Sequence, residues 1–292
     1  MSICFIAAGP ITWTSSRLRC YWPAQYLGAQ VVPFADLARR PLPRADVYVW
    51  QKQVRLDLLP ARRTAQHWWD VSEPAWWFEP EACRELVQHM SGFVASNENL
   101  ALDFSRWSGR FCHVIPDRLQ LSYFTRQRAH TPTSPVRLIW FGAAVNRVSL
   151  ATIWSNLLRL AANGHAVELT IMDDRPGQEL GFGDRLRVHH VRWAWQREVA
   201  ILASHDVALL PPLPGPWGSV RSNYKQLTAW ACGLPVTDGH DYDELVNLVS
   251  DHTIRAARGR AGRQQVEALW TVDRSAQAWR ALLQPASSLT SA

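Results

Sequence analysis

The chain has 292 residues, of which 47% are apolar, and a formal net charge of +6. That is enough apolar material for two compact domains or one large one. No run reaches the roughly 18 continuous apolar residues of a membrane-spanning helix, which argues against a helical channel or transporter. The cysteines Cys4, Cys20, Cys83, Cys112 and Cys232 stand far apart, which excludes a close-spaced zinc or redox motif, and their odd number argues against a disulfide framework.

The opening MSICFIAAGP lacks a basic leader and reads as a first buried strand, Ile3–Ala8, so a cytoplasmic location in a bacterial cell or phage-infected host is expected. Pro10–Ser16 reads as a loop and Ser16–Leu27 as a helix. Strands follow at Val31–Phe34 and Val47–Gln51, then a helix at 56–65 and a strand at His67–Val71. The half continues with a helix at Glu79–Met90, a strand at Gly92–Ser96, a helix at Glu98–Trp107 and a strand at Cys112–Ile115. Such alternation implies a parallel sheet covered by helices.

The polar stretch 118–135 breaks the rhythm and is expected to link two domains. A second half starts with the strand Val136–Phe141, the turn Gly142–Asn146 and a helix over 148–162. Strands at Val167–Met172, Leu186–Val191 and Val207–Leu210 alternate with a loop at 175–185 and a helix at Gln196–Ser204. A proline-rich loop, 211–220, leads to a helix at 222–232, a strand opening at Pro235-Val236, and further helices. The expected domains are 1–128 and 129–285, with a flexible tail at 286–292.

The stretch DVALLPPLPGPWGSVRSNYKQLTAWACGLPVTDG, from Asp206 to Gly239, carries the chemistry. Only two of the 31 basic residues are lysines, Lys52 and Lys225, and Lys225 gathers with Arg221, Ser222 and Asn223 at a helix start. A helix N-terminus offers unpaired N–H groups and partial positive charge, and in an open α/β sheet it lies where ligands bind. A diphosphate fits there; an ordinary helix start with Ser222 as its cap is the alternative. Gly233 suits a left-handed helix end.

Arg221–Val236 resembles the donor-binding region of the GT-B glycosyltransferases, in which a charged residue precedes a helix reading A-x-G-x-P-V. IWFGAAVNR, SSRLR, DVYVWQK, WDVSEP and GFVASNENLA are similar to segments of the same superfamily. The resemblance implies an α/β fold of two Rossmann-like domains facing a central cleft. It implies a nucleoside-diphosphate sugar, a UDP-sugar first, as co-substrate, and no tightly bound cofactor. Many retaining members carry two glutamates in this region; Thr228 stands at the position of the second, which leaves the stereochemistry open.

On this reading Arg221 and Lys225 stabilise the departing diphosphate, helped by the backbone at Ser222 and Asn223. Gly142, Ala143 and Asn146 form the opposing loop. Trp193 either borders the nucleobase or packs. On the acceptor side, Arg17 and Arg19 touch substrate or lie on an exposed helix face. Asp70, between Trp68-Trp69 and Trp76-Trp77, is the candidate general base of an inverting reaction, with Glu73 and His67 in reserve. No metal is expected, although Asp241 and Asp243 match an Asp-x-Asp spacing that helix capping also explains. A saccharide or small molecule is the first acceptor expected. DNA with a hydroxylated base is the second, argued from arginines beside aromatics at Arg106–Arg110 and Tyr123–Arg128. A non-catalytic nucleotide-sugar-binding protein is the remaining alternative.

Overall fold

A computed structural model describes residues 1–62, 64–175 and 186–284. The expected tail and most of the expected 175–185 loop lie outside the described residues. The described residues form two all-parallel sheets flanked by helices, each a Rossmann-like fold. None of their helices is long and apolar enough to cross a membrane. By internal packing the chain falls into two units. The first comprises Met1–Leu119, Ser219–Ser222 and the residues from Thr271 onward; the second comprises Gln120–Gly218 and Asn223–Trp270.

In the first unit the strands are β1 (Ile3–Ala7), β2 (Gln30–Pro33), β3 (Val47–Gln51), β4 (Gln66–Val71), β5 (Gly92–Ala95) and β6 (His113–Val114). They pair in the order β2-β1-β3-β4-β5-β6. β1 and β3 are buried along their whole length, as parallel strands covered on both faces must be. Alternation divides their side chains between two layers. Cys4, Ile6, Tyr48, Trp50, Trp69 and Phe93 face one layer. Phe5, Val47, Val49 and Trp68 face the other, which Cys20, Ala24, Trp279 and Leu283 complete. Most of the tryptophans of the 68–77 cluster are therefore packing residues: Trp76 stacks on Trp107, and Trp76 and Trp77 both donate to Asp103 Oδ2.

The second unit carries β7 (Val136–Phe141), β8 (Val167–Asp173), β9 (Arg187–Arg192), β10 (Val207–Leu209) and β11 (Val236–Thr237), in the order β11-β10-β7-β8-β9. His205 is buried at its base, pairing through Nδ1 with Ile201 O (2.7 Å) and through Nε2 with Thr170 Oγ1 (2.8 Å). Burial lowers its pKa from the ordinary 6.5. A lowered native pKa means the unfolded chain takes up the proton first. Stability from neutral His205 is therefore complete above the unfolded value and lost as pH falls through the native one. Between about pH 7 and about pH 5 the melting temperature of the wild type should fall relative to that of His205→Gln, which has nothing to titrate there. Parallel melting curves of the two proteins over that range would remove this account.

Several expected helices differ in detail for local reasons. Ser16–Leu27 is one helical run with a π segment, Arg17–Tyr21, just before Trp22–Leu27. Pro23 has no N–H for the carbonyl of Arg19, and the turn before it widens. The helix expected over 56–65 is instead a 3-10 segment, Leu56–Arg62, with Pro60 inside it. The helix expected over 148–162 breaks into Val148–Ala151 and Trp154–Ala162, where the Thr152 hydroxyl turns back to donate to Ser149 O (2.8 Å).

Candidate functional site

In each sheet the loops beyond the carboxyl ends of the strands carry the candidate chemistry. In the second unit, β7 runs into Gly142 and Ala143, then into the 3-10 turn Ala144–Arg147. Two acidic residues at the end of β8 fix that loop. Asp173 pairs with the buried Arg147, and Asp174 accepts from the Ala144 N–H (2.7 Å). Asn146 is buried in the same turn.

The helix Tyr224–Ala231 brings Lys225 to this loop. The Lys225 ammonium lies 5.2 Å from the centre of the Trp140 ring. A Cβ on Gly142 would stand 2.4 Å from Lys225 Nζ, so the lysine occupies the space that the glycine leaves. Thus Gly142 and Lys225, far apart in sequence, lie against each other. Asn223, not Ser222, caps the helix, and it does so without a side-chain cap bond. Gly233 follows the helix at φ 75°, the left-handed conformation expected of it. Trp193 follows β9, half-buried, and donates through Nε1 to Glu198 Oε1 (3.0 Å).

In the first unit the sequence expectation needs correction. Asp70 is fully buried at the end of β4 and accepts from Arg19 Nε (2.8 Å) and Nη2 (2.8 Å). Arg19 Nη1 donates to Ile115 O (2.5 Å) and to Asp117 Oδ1 (3.2 Å). Burial pushes the Asp70 carboxyl upward, opposed by the Arg19 guanidinium. The expected desolvation is present, but it comes with an ion pair that closes the carboxylate off from any substrate. Arg19 is likewise a buried partner rather than an acceptor contact or a surface residue. Arg17, 2% exposed, donates to the carbonyls of Ile11 (3.4 Å) and Thr12 (3.3 Å) and stacks over Trp22. His67 is buried, stacked on Tyr48, and accepts from Trp50 Nε1 through Nδ1.

Glu73 keeps access to solvent. Its carboxylate lies 3.0 Å from Lys52 Nζ and 3.5 Å from Arg221 Nη1. Lys52 follows β3 with φ 62°, the one non-glycine residue in the left-handed region among the described residues. That conformation costs a side-chain-bearing residue about 1–2 kcal/mol. Two bonds hold it: the Lys52 N–H donates to Asp70 O (3.0 Å) and Trp69 Nε1 donates to Lys52 O (3.0 Å). Arg221 belongs to a short segment packed on the first unit: Val220 enters its core, Asn97 Nδ2 donates to Val220 O (2.9 Å), and Asn99 Nδ2 to Ser219 O (3.0 Å). Lys52 and Arg147 escaped the sequence reading. A lysine in an arginine-rich chain was the signal for the first; only its strand-end position could have told its role.

The basic runs do not gather at these loops. Arg106 and Arg110 lie where the helix Glu98–Ser108 hands over to β6, the edge at which strands begin. Tyr123 stacks on Trp195, and Arg128 pairs with Asp206 (2.6 Å). Asp241 caps the helix Tyr242–Ser250 by accepting from the N–H groups of Asp243 (2.9 Å) and Glu244 (3.1 Å), which accounts for the Asp-x-Asp spacing. Among the described residues no group of three or more His, Cys, Asp or Glu could hold a metal ion.

No protein-family profile and no curated protein matches the chain. Solved structures do. A crystal structure of TarM aligns with a TM-score of 0.61 at 11% identity, over 82% of this chain and 55% of that one, so the chain spans about half the length of that enzyme. An alpha-glucosyltransferase in complex with UDP and a 13-mer DNA containing a HMU base aligns with a TM-score of 0.71 at 9% identity, over 97% of this chain and 99% of that one. A trehalose-6-phosphate synthase aligns with a TM-score of 0.56 at 13% identity, over 83% of this chain and 74% of that one. Two parallel sheets in these strand orders, aligned on such structures over most of the chain, give it the GT-B fold.

Proposed function

We propose that this protein is a glycosyltransferase that moves a sugar from a nucleoside-diphosphate sugar, a UDP-sugar first, to the hydroxyl of a modified base in DNA. The observation that carries the donor half is Lys225 seated on Gly142 at the start of a helix. In the transfer, the bond from the sugar's anomeric carbon to the diphosphate oxygen breaks, and a bond from that carbon to the acceptor oxygen forms. The acceptor hydroxyl gives up its proton. Positive charge develops on the sugar and negative charge on the leaving diphosphate. Lys225, the helix N-terminus and Arg221, four residues earlier, offset the negative charge. Gly142 and Ala143 leave room for the phosphates. Ser222 and Asn223 offer backbone N–H groups.

On the acceptor side, Glu73 replaces the buried Asp70 as the carboxylate able to orient or deprotonate a hydroxyl. Arg17 and Arg19 support the fold there and do not touch substrate.

DNA displaces the saccharide that the sequence ranks first. What supports the change is the end-to-end match, 97% of this chain on 99% of the alpha-glucosyltransferase solved with UDP and DNA, where the alignment with TarM takes in only 55% of that chain. The expected result is release of nucleoside diphosphate and label transfer to duplex DNA carrying a hydroxymethylated pyrimidine. Each phosphate held by a basic side chain predicts about a threefold loss of DNA affinity between 50 and 200 mM salt. Transfer to free saccharides with none to DNA would restore the first ranking. No diphosphate release with either acceptor would leave a binding protein.

A further inference from the structure

The loop after β1, residues 8–13, is anchored from beneath far more firmly than a connection needs. The buried Gln51 accepts from the Ala8 N–H (3.0 Å) and from Ser16 Oγ (2.9 Å). Ser16 Oγ also accepts from the Gly9 N–H (3.0 Å), and Tyr21 OH donates to Gly9 O (3.3 Å). Arg17 holds two further carbonyls of the loop. What this support displays is an indole: Trp13 is 56% exposed. Its ring packs directly on Gly9, where a Cβ would stand 2.4 Å from Trp13 Cδ2 and Cε3. A large apolar ring held rigidly in water has paid its ordering entropy in advance, which is the property of a stacking platform.

Position gives the platform its ligand class. β1 and β3 are neighbours, so the loop lies at the same carboxyl edge as Lys52, with Glu73 and Arg221 beyond it. An aromatic face beside cations is how proteins hold an unstacked base and its phosphates. A base inside a duplex cannot present its hydroxyl to an enzyme and must be taken out of the stack. The geometry points to Trp13 as the surface on which the acceptor base stacks, with Lys52 beside it for the adjoining phosphate. This rests on the DNA reading above.

The test compares the wild type with Trp13→Ala, Trp13→Phe and Gly9→Ala. It measures binding and kcat/KM on a duplex with one hydroxymethylated pyrimidine, beside the UDP-sugar-induced thermal shift. Trp13→Ala should weaken DNA binding by roughly ten- to a hundredfold while leaving the donor shift unchanged. Trp13→Phe should retain most of the affinity. Gly9→Ala, which pushes the ring aside without removing it, should lose part of the affinity in the wild type and none in the Trp13→Ala background. Wild-type turnover on DNA that Trp13→Ala leaves unchanged would overturn the platform alone. A wild type that neither binds nor modifies DNA, yet shows the donor shift, would overturn the platform together with the DNA reading.

Discussion

Replacing Lys225 with alanine should lower transfer by about 10²–10³-fold and abolish the thermal stabilisation given by a UDP-sugar. The magnitude is that of removing one preorganised donor from a site where charge develops. Lys225 is preorganised in this sense: its ammonium is fixed between the Trp140 ring and the bare backbone of Gly142. The effect should be confined to the donor. Lys225 begins a helix whose core contacts come from Leu227, Ala229 and Ala231, so the ligand-free melting temperature should hardly move. Gly142→Ala gives the intermediate case, because the added methyl meets the flexible end of a lysine, which can yield. It should keep a reduced donor shift. Arg221→Ala should act more weakly than Lys225→Ala, since its guanidinium is shared with Glu73. An undiminished donor shift in Lys225→Ala would remove the donor site from this helix.

The second large effect is on stability. Arg19→Met should destabilise the first unit by about 3–5 kcal/mol, because it strands the Asp70 charge in the core. Asp70 is fully buried, and Arg19 donates to both of its oxygens. The double replacement Arg19→Met with Asp70→Leu should recover part of the loss: the charge at Asp70 is gone, and only Asp117 then lacks its guanidinium. Chemical denaturation followed by circular dichroism reads both. Asp70→Asn separates the two roles considered for this residue. A catalytic base would lose kcat at unchanged stability; a structural partner loses stability at nearly unchanged kcat per folded molecule, which is the expected result. Normal stability with no turnover would return Asp70 to the chemistry.

Strand positions were legible because parallel strands buried on both faces are short apolar runs, such as Ile3–Ala7 and Val47–Gln51. The junctions at Gly142 and at Arg221–Lys225 were legible too, since each marks a strand–loop–helix passage with local composition. The contacts of the first unit were not. Whether an aspartate between tryptophans faces solvent or an arginine fifty-one positions earlier depends on tertiary contact alone, as with Arg19 and Asp70. The same holds for Trp13, whose exposure sets it apart from the packed tryptophans, and for Lys52, whose backbone strain has no composition signal. The arginine–aromatic runs misled because proximity in sequence says nothing about which end of a strand a residue occupies.

The helix Val272–Leu283 closes the chain by packing on the first sheet: Trp279 meets Phe5 edge-on, and Leu283 is 1% exposed in the same layer. Residues 1–128 are therefore not a self-sufficient folding piece. Once residues 1–128 have left the ribosome, that face of their sheet is covered only in part, by Cys20 and Ala24, and Trp279 and Leu283 complete it after residues 129–270 have been made. Completion of the amino-terminal body is thus a late event in synthesis, and premature termination anywhere before Trp279 leaves an adhesive surface for quality control to find.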